Sequence, residues 1–263
     1  MSATPRIALL ACSVLEREIE MLAAAGGGSP FVETRLFPVG LHDRPDELRA
    51  TLQAAIDELD AVDCDAIVLA YGLCGLATAG LRAGRHPLVI PRAHDCIAIF
   101  MGSKEAYAAH QREKPGSYYY SPGWNRERRV PGPERLESLK AEFAEKFDPE
   151  DVDFLLESER ECWKSYKRAT YIDLGTPDSA EAENYARHCS AWLGWEFERI
   201  CGSPDLLRDL LTGNWDAARF LVVQPGARIR HSPDESILKA ESGCSCPDRQ
   251  TQGGCVAPEV GIG

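Results

Sequence analysis

The chain contains no run approaching the roughly 18 consecutive apolar residues that a transmembrane helix requires, so nothing in it reads as a membrane span. It also lacks a surplus of positive charge. Against 41 Asp+Glu stand only 29 Lys+Arg, a formal charge of −12, and a field of that sign repels nucleic-acid phosphates and anionic lipid surfaces. The apolar run near the start, Ile7–Leu10, is short for the core of a secretory signal and is soon followed by Glu16, Arg17 and Glu18. The expectation is therefore a soluble, cytoplasmic protein. No GxGxxG, P-loop, HExxH or GxSxG pattern occurs, which removes the motif-based routes to a dinucleotide, a nucleoside triphosphate, a zincin or a hydrolase elbow. Adjacent CxxC pairs are absent as well, so no zinc ribbon or thioredoxin-like motif is present.

What the chain has instead is cysteine, 10 residues in 263. In a small secreted domain that density would signal a disulfide framework, but a chain of this length, 44% apolar, builds a core without staples. The thiols need another explanation.

Two hydrophobic periods alternate through the first third. Arg6–Cys12, Asp65–Tyr71 and Pro87–Pro91 are continuous apolar runs, the pattern of strands buried on both faces, and Phe31–Pro38 reads as a further strand. Between them, Ser13 with Glu16 forms a capping box ahead of a helix over Leu15–Ala25. Pro45-Asp46-Glu47 opens a second helix reaching about Val62. Strand–helix–strand alternation at this spacing makes an α/β fold with a doubly wound parallel sheet. The grammar returns with strands at Thr170–Leu174, Trp195–Ile200 and Phe220–Gln224 and helices begun by Thr176-Pro177-Asp178 and Ser203-Pro204-Asp205. Pro45-Asp46-Glu47-Leu48-Arg49 parallels Pro204-Asp205-Leu206-Leu207-Arg208, and each is followed by a strand ending near glycine, Gly72 and Gly226. Two pseudo-repeated lobes would put a site in the cleft between their strand ends.

Four segments follow from this reading: a first lobe over 1–115, an aromatic loop and helical insertion over 116–168, a second lobe over 169–230, and a flexible tail over 231–263. The stretch Lys104–Arg129, with Tyr107, Tyr118, Tyr119, Tyr120 and Trp124 among Gly and Pro, reads as a loop able to roof a pocket. Glu134–Phe147 and Glu150–Lys167 read as helices, the first with Leu136, Leu139, Phe143 and Phe147 along one face.

Chemistry gathers at three strand ends. Cys12 closes the first strand, Cys74 follows the third, and His94 and Cys96 follow the fourth. In a doubly wound sheet such ends converge on one edge. Soft thiolates with an imidazole suit zinc, the preferred metal here, or a 4Fe–4S cluster with one open iron. Cys12, placed before a helix N-terminus, is expected to have a lowered pKa. Asp95 is a partner for the His94 ring or a helix N-cap. His94, Arg92 and Asp95 are the candidate catalytic groups, with Arg92 and Lys104 as partners for a small anionic substrate. Gly72 and Gly75 would open backbone N–H groups to an anion, while Tyr118, Tyr120 and Trp124 would close the pocket. Cys64, ahead of its strand, reads as an inert core thiol, and His42, His86, His110 and His231 as isolated surface or loop residues.

At these residues a resemblance enters. Tyr71-Gly72-Leu73-Cys74-Gly75, Pro91-Arg92-Ala93-His94-Asp95-Cys96 and Gly102-Ser103 resemble an uncharacterised bacterial and archaeal domain-of-unknown-function family. The likeness continues through Gly116-Ser117-Tyr118-Tyr119, Pro122-Gly123-Trp124, Tyr171-Ile172-Asp173 and Phe220–Gly226, or about residues 5–230. Members of that family are often encountered beside corrinoid-dependent methyltransferases. The resemblance thereby implies methyl or one-carbon transfer, with a corrinoid protein or methyltransferase as partner. Zinc in such enzymes holds a nucleophile as its anion.

Two other classes compete. One is a non-catalytic metal or corrinoid chaperone. The other is a cofactor-free thiol enzyme on a small carboxylate, since the two-lobed reading resembles aspartate/glutamate racemases. Those racemases use one Cys from each lobe, and here the second half offers only Cys201 at a strand end. The tail carries Cys244, Cys246 and Cys255, read as incidental thiols of a flexible segment or as a metal relay.

Overall fold

A computed structural model describes residues 5–26, 31–127 and 129–242. The first sheet has the order β2-β1-β3-β4-β8. Second from its edge is β1 (Ile7–Cys12), every residue of which is buried. Parallel neighbours flank it, β2 (Phe31–Phe37) on one side and β3 (Ala66–Ala70) on the other. An apolar run with no alternation is what a strand covered by helices on both faces requires. At the edge, β2 alternates half-buried and exposed residues. Beyond β3 lies β4 (Leu88–Pro91), also parallel, and then β8 (Phe220–Val223), antiparallel to it. Helices α1 (Glu16–Ala25) and α2 (Pro45–Leu59) make the first two crossovers. On α2, Leu48, Leu52, Ala55, Ile56 and Leu59 are buried at helical spacing.

After β4 the chain runs through α3 (Cys96–Met101) and α4 (Lys104–Glu113) into a second sheet. That sheet is parallel, in the order β5-β6-β7, from β5 (Ser117–Tyr120), β6 (Arg168–Asp173) and β7 (Glu196–Cys201). Between β5 and β6 lie the short α5 (Pro122–Arg126) and the packed pair α6 (Pro133–Ala144) and α7 (Pro149–Trp163). Helix α8 (Ser179–Leu193) covers β6 and β7, and α9 (Asp205–Thr212) packs on β3 and β4. Among the described residues no helix is long and apolar enough to cross a membrane.

Four expectations change. The capping box does not form: Ser13–Leu15 is a 3-10 turn, and the Ser13 hydroxyl donates to Glu127 Oε1 at 3.2 Å instead. The aromatic stretch is not a loop but α4, β5 and α5, because Ser103 caps α4, Ser121 caps α5, and β5 finds a pairing edge on β6. The pseudo-repeat fails at its last strand, since β8 joins the first sheet antiparallel, so the Gly226 end points away from the Gly72 end. Order also continues past 231, where β9 (Arg228–His231) and β10 (Leu238–Glu241) form an antiparallel pair with Ile237 and Leu238 buried. Cys244, Cys246 and Cys255 lie outside the described residues.

Candidate functional site

Four parallel strands end on one rim, and each delivers one donor in the spatial order of the sheet. From β2 the chain enters a 3-10 turn, Val39–Asp43, that carries His42. Next, β1 ends on Cys12 itself. The segment after β3 carries Cys74, and α3, after β4, begins with Cys96. All three cysteines are buried. His42 Nε2 stands 3.3 Å from Cys12 Sγ. Its ring stacks on Tyr71 at 6.0 Å and tilts against Trp124 at 6.3 Å between centroids.

The two sequence motifs are locked together by backbone. Leu73 N–H donates to the Ala93 carbonyl at 2.9 Å and Cys74 N–H to the His94 carbonyl at 2.8 Å. A Cβ on Gly72 would lie 2.7 Å from Asp95 Cα and N, so only glycine allows the approach. Cys74 itself sits at φ +48°, a left-handed conformation that L residues rarely adopt. Gly123 does the same for the roof: a Cβ there would strike the Val14 carbonyl, so its absence lets α5 dock beside Cys12 and bring Trp124 over the thiols.

Above the thiols opens a cavity of about 410 Å³. His42, Cys74, Gly75, Asp95, Cys96, Trp124 and the tyrosines 107, 118, 119 and 166 are among the residues lining it. Asp95 caps α3, accepting from Ile97 N at 3.0 Å, and also accepts from the Tyr107 hydroxyl at 3.2 Å. Behind Tyr119 runs a polar chain: His110 Nδ1 lies 2.8 Å from the Tyr119 hydroxyl, and His110 Nε2 lies 3.1 Å from Glu198 Oε2.

Burial governs the electrostatics. It pushes the Cys12 thiol up to about 12, although the Val14 backbone N–H favours the anion. The helix-start effect expected at Cys12 is therefore outweighed. Cys74 and Cys96 are raised as well, first by burial and then by nearby charge, Cys12 and Asp95 acting on both and Cys74 also on Cys96. The Tyr71 hydroxyl is raised first by burial and then by the charges of Cys12, Cys74 and Cys96. Burial lowers the His42 pKa, which keeps its imidazole neutral with a lone pair to offer. Beside the thiols the buried Tyr71 hydroxyl has no hydrogen-bond partner among the described residues, while the Trp124 indole faces the Cys96 sulfur and favours its anion against burial.

The remaining expected residues are placed as follows. His94 is exposed and does not line the cavity, so the imidazole beside the thiols is His42. The Arg92 guanidinium is used by backbone, donating to the carbonyls of Ala217 at 2.9 Å, Ser236 at 3.0 Å and Leu238. Lys104 likewise donates to the Glu235 carbonyl. Neither cation faces the cavity. The backbone N–H groups of Leu73 and Cys74 are spent on the neighbouring segment, so the turn after Gly72 clamps the two motifs together and these two N–H groups are not open to an anion. Tyr118 and Trp124 do line the cavity, whereas Tyr120 is fully buried, donating to the Pro131 carbonyl at 2.8 Å. Cys64 is buried before the start of β3, at the opposite end from the rim. Cys201 is exposed.

As they stand, no three His, Cys, Asp or Glu side chains among the described residues are drawn close enough to hold a metal ion. The donor chemistry nevertheless fits one. Sulfur and imidazole suit zinc or an iron–sulfur cluster. A bound cation would favour ionisation of buried sulfurs that do not ionise alone, and a thiolate held there would be an acceptor for the unpartnered Tyr71 hydroxyl.

The chain belongs to the family described as protein of unknown function DUF1638, whose profile matches residues 36–211. No curated protein and no solved structure matches it.

Proposed function

We propose that this DUF1638 member is a metalloprotein in which Cys12, Cys74, Cys96 and His42 hold zinc or an iron–sulfur cluster, at the floor of a cavity where a methyl or one-carbon group is transferred. The observation that carries the reading is the arrival of three buried thiols and a neutral imidazole from four adjacent parallel strand ends. Placing four such groups by chance on one rim is hard to reconcile with inert core packing. Side-chain rotation must draw the sulfurs together, because they do not yet form a coordinating group. When bound, the metal supplies Lewis acidity and holds a nucleophile as its anion at neutral pH.

The chain's own residues then do the rest. Trp124 and the cavity tyrosines exclude water. Asp95, fixed by α3 and by Tyr107, presents one carboxylate to the cavity. His110, between the Tyr119 hydroxyl and Glu198, can pass a proton to or from the tyrosine that borders the reacting volume. Methyl transfer with a corrinoid partner is supported by the resemblance of the YGLCG and PRAHDC motifs. A cofactor-free thiol enzyme is the weaker reading, since burial keeps all three sulfurs protonated at neutral pH and a protonated thiol is a poor nucleophile.

Anaerobic purification followed by metal analysis and a visible spectrum tests the proposal. Stoichiometric zinc in a colourless protein, or iron with sulfide and broad absorption near 400 nm, is expected. Cys74→Ser should lose that metal, and Cys64→Ser should keep it. Equal retention by both variants, or loss only on removing Cys244, Cys246 and Cys255, overturns it.

A further inference from the structure

The cavity says something about its ligand that the metal reading does not. Its walls are aromatic, with Tyr107, Tyr118, Tyr119, Tyr166 and Trp124 facing a common volume and His42 at the floor. The tyrosines buttress one another edge to face, Tyr107 on Tyr119 at 5.5 Å and Tyr118 on Tyr166 at 5.1 Å between centroids. Such packing holds the rings in place before any ligand arrives. One carboxylate, Asp95, completes the lining, and neither Lys nor Arg is part of it. Outside the lining, Arg168 pairs with Glu196, and Arg135, whose charge reaches Tyr118, sits 3.8 Å from Glu159. The chain as a whole is at −12.

We infer that this cavity binds a small organic cation, a methylated or quaternary ammonium, held by the faces of its aromatic rings and by Asp95. Ring quadrupoles present negative faces, and several rings around one site recognise an alkylated ammonium whose charge cannot be met by conventional hydrogen bonds. An anion gains nothing there, since Arg92 is committed to backbone carbonyls on the β8–β10 side. A neutral molecule of the same shape would gain apolar burial only. The inference deepens the proposed function by naming the substrate class, a methyl donor carrying positive charge. It rests on that reading only in taking this cavity as the working site, because the rings and Asp95 are in place whether or not metal is bound. A divalent ion with three thiolates and a neutral imidazole leaves one net negative charge on the floor, which favours the same ligand.

The test is calorimetric titration of the full chain with choline, with its neutral carbon isostere 3,3-dimethylbutan-1-ol and with the anion 3,3-dimethylbutanoate. Each titration is run on protein as purified and again after chelation. Choline is expected to bind roughly tenfold more tightly than the neutral isostere, with the anion weakest. Tyr166→Leu should weaken choline about fivefold while Tyr166→Phe leaves it within about twofold, because phenylalanine keeps the ring and leucine only the bulk. Equal or tighter binding of the neutral isostere, preference for the anion, equal effects of the two variants, or no saturable choline binding each overturns the inference. Choline binding that survives in metal-free protein upholds it even if the metal reading fails. Stoichiometric metal without choline preference sinks it and spares the metal.

Discussion

Replacing Gly72 by alanine should damage the site far more than one added methyl suggests. The new Cβ would lie 2.7 Å from two backbone atoms of Asp95 and 2.9 Å from the His94 carbonyl carbon. Backbone cannot rotate away as a side chain can, so the segments carrying Cys74 and Cys96 must part. Overpacking of that kind costs about 1–3 kcal/mol. The separation also weakens the bonds from Leu73 N to Ala93 O and from Cys74 N to His94 O, 2.9 and 2.8 Å, each contributing about 1 kcal/mol. We expect a loss of roughly 2–4 kcal/mol in urea unfolding. Gly75→Ala is the matched control. Nothing lies within 4 Å of its added Cβ, but φ is +63°, so the loss should stay near 1–2 kcal/mol and arise from backbone conformation alone. The two variants should differ more sharply in metal retention, which Gly72→Ala lowers and Gly75→Ala leaves largely intact. If Gly72→Ala unfolds like the parent chain, or if both variants retain metal equally, the locked-motif argument is wrong.

Three further outcomes follow from other residues. Glu18 is fully buried with both carboxylate oxygens unpartnered, and burial, with Asp178 adding to it against Arg126 and Arg17, raises its pKa to about 7 from 4.5. Between those values the folded chain holds a proton that the unfolded chain has released. Stability therefore falls as pH rises through that window, by about 3 kcal/mol, and Glu18→Gln should flatten this decline in unfolding measured from pH 4 to pH 8. His42→Ala should weaken metal binding more than a hundredfold in a competition titration, while His94→Ala stays within a factor of about two; the reverse order would restore His94 as the ligand. Tyr71→Phe removes a donor that has no other partner and should weaken metal binding about tenfold or more with little change in fold, and unchanged binding would show that its hydroxyl serves no thiolate.

Much of the frame was legible because buried strands announce themselves. The all-apolar run ending at Cys12 and the shorter runs before Cys74 and Cys96 carry no competing period, so their order and direction follow from crossover rules. The thiols could be assigned to one rim on that ground alone. His42 was missed although the same logic applied to it, since it follows β2 as Cys74 follows β3; an isolated histidine in a polar stretch carries no local signal of what stacks on it. His94 was favoured because it stands two residues before Cys96 in sequence, yet its carbonyl is what meets the Gly72 turn. The strand β5 was hidden for a different reason. Three consecutive tyrosines between Gly and Pro look like loop composition, and only the partner strand β6, some fifty residues on, makes a strand of them. The antiparallel return of β8 is equally non-local, because nothing in an apolar tetrapeptide records its direction.

X-ray absorption at the metal edge, on anaerobically purified full-length protein, addresses the central claim most directly. The expected shell is dominated by sulfur near 2.3 Å, with one nitrogen at about 2.0–2.1 Å if the metal is zinc. That nitrogen should vanish in His42→Ala, and sulfur should drop out stepwise in Cys12→Ser and Cys96→Ser. A shell of oxygen and nitrogen alone, or one that the same substitutions leave unchanged, would contradict the account.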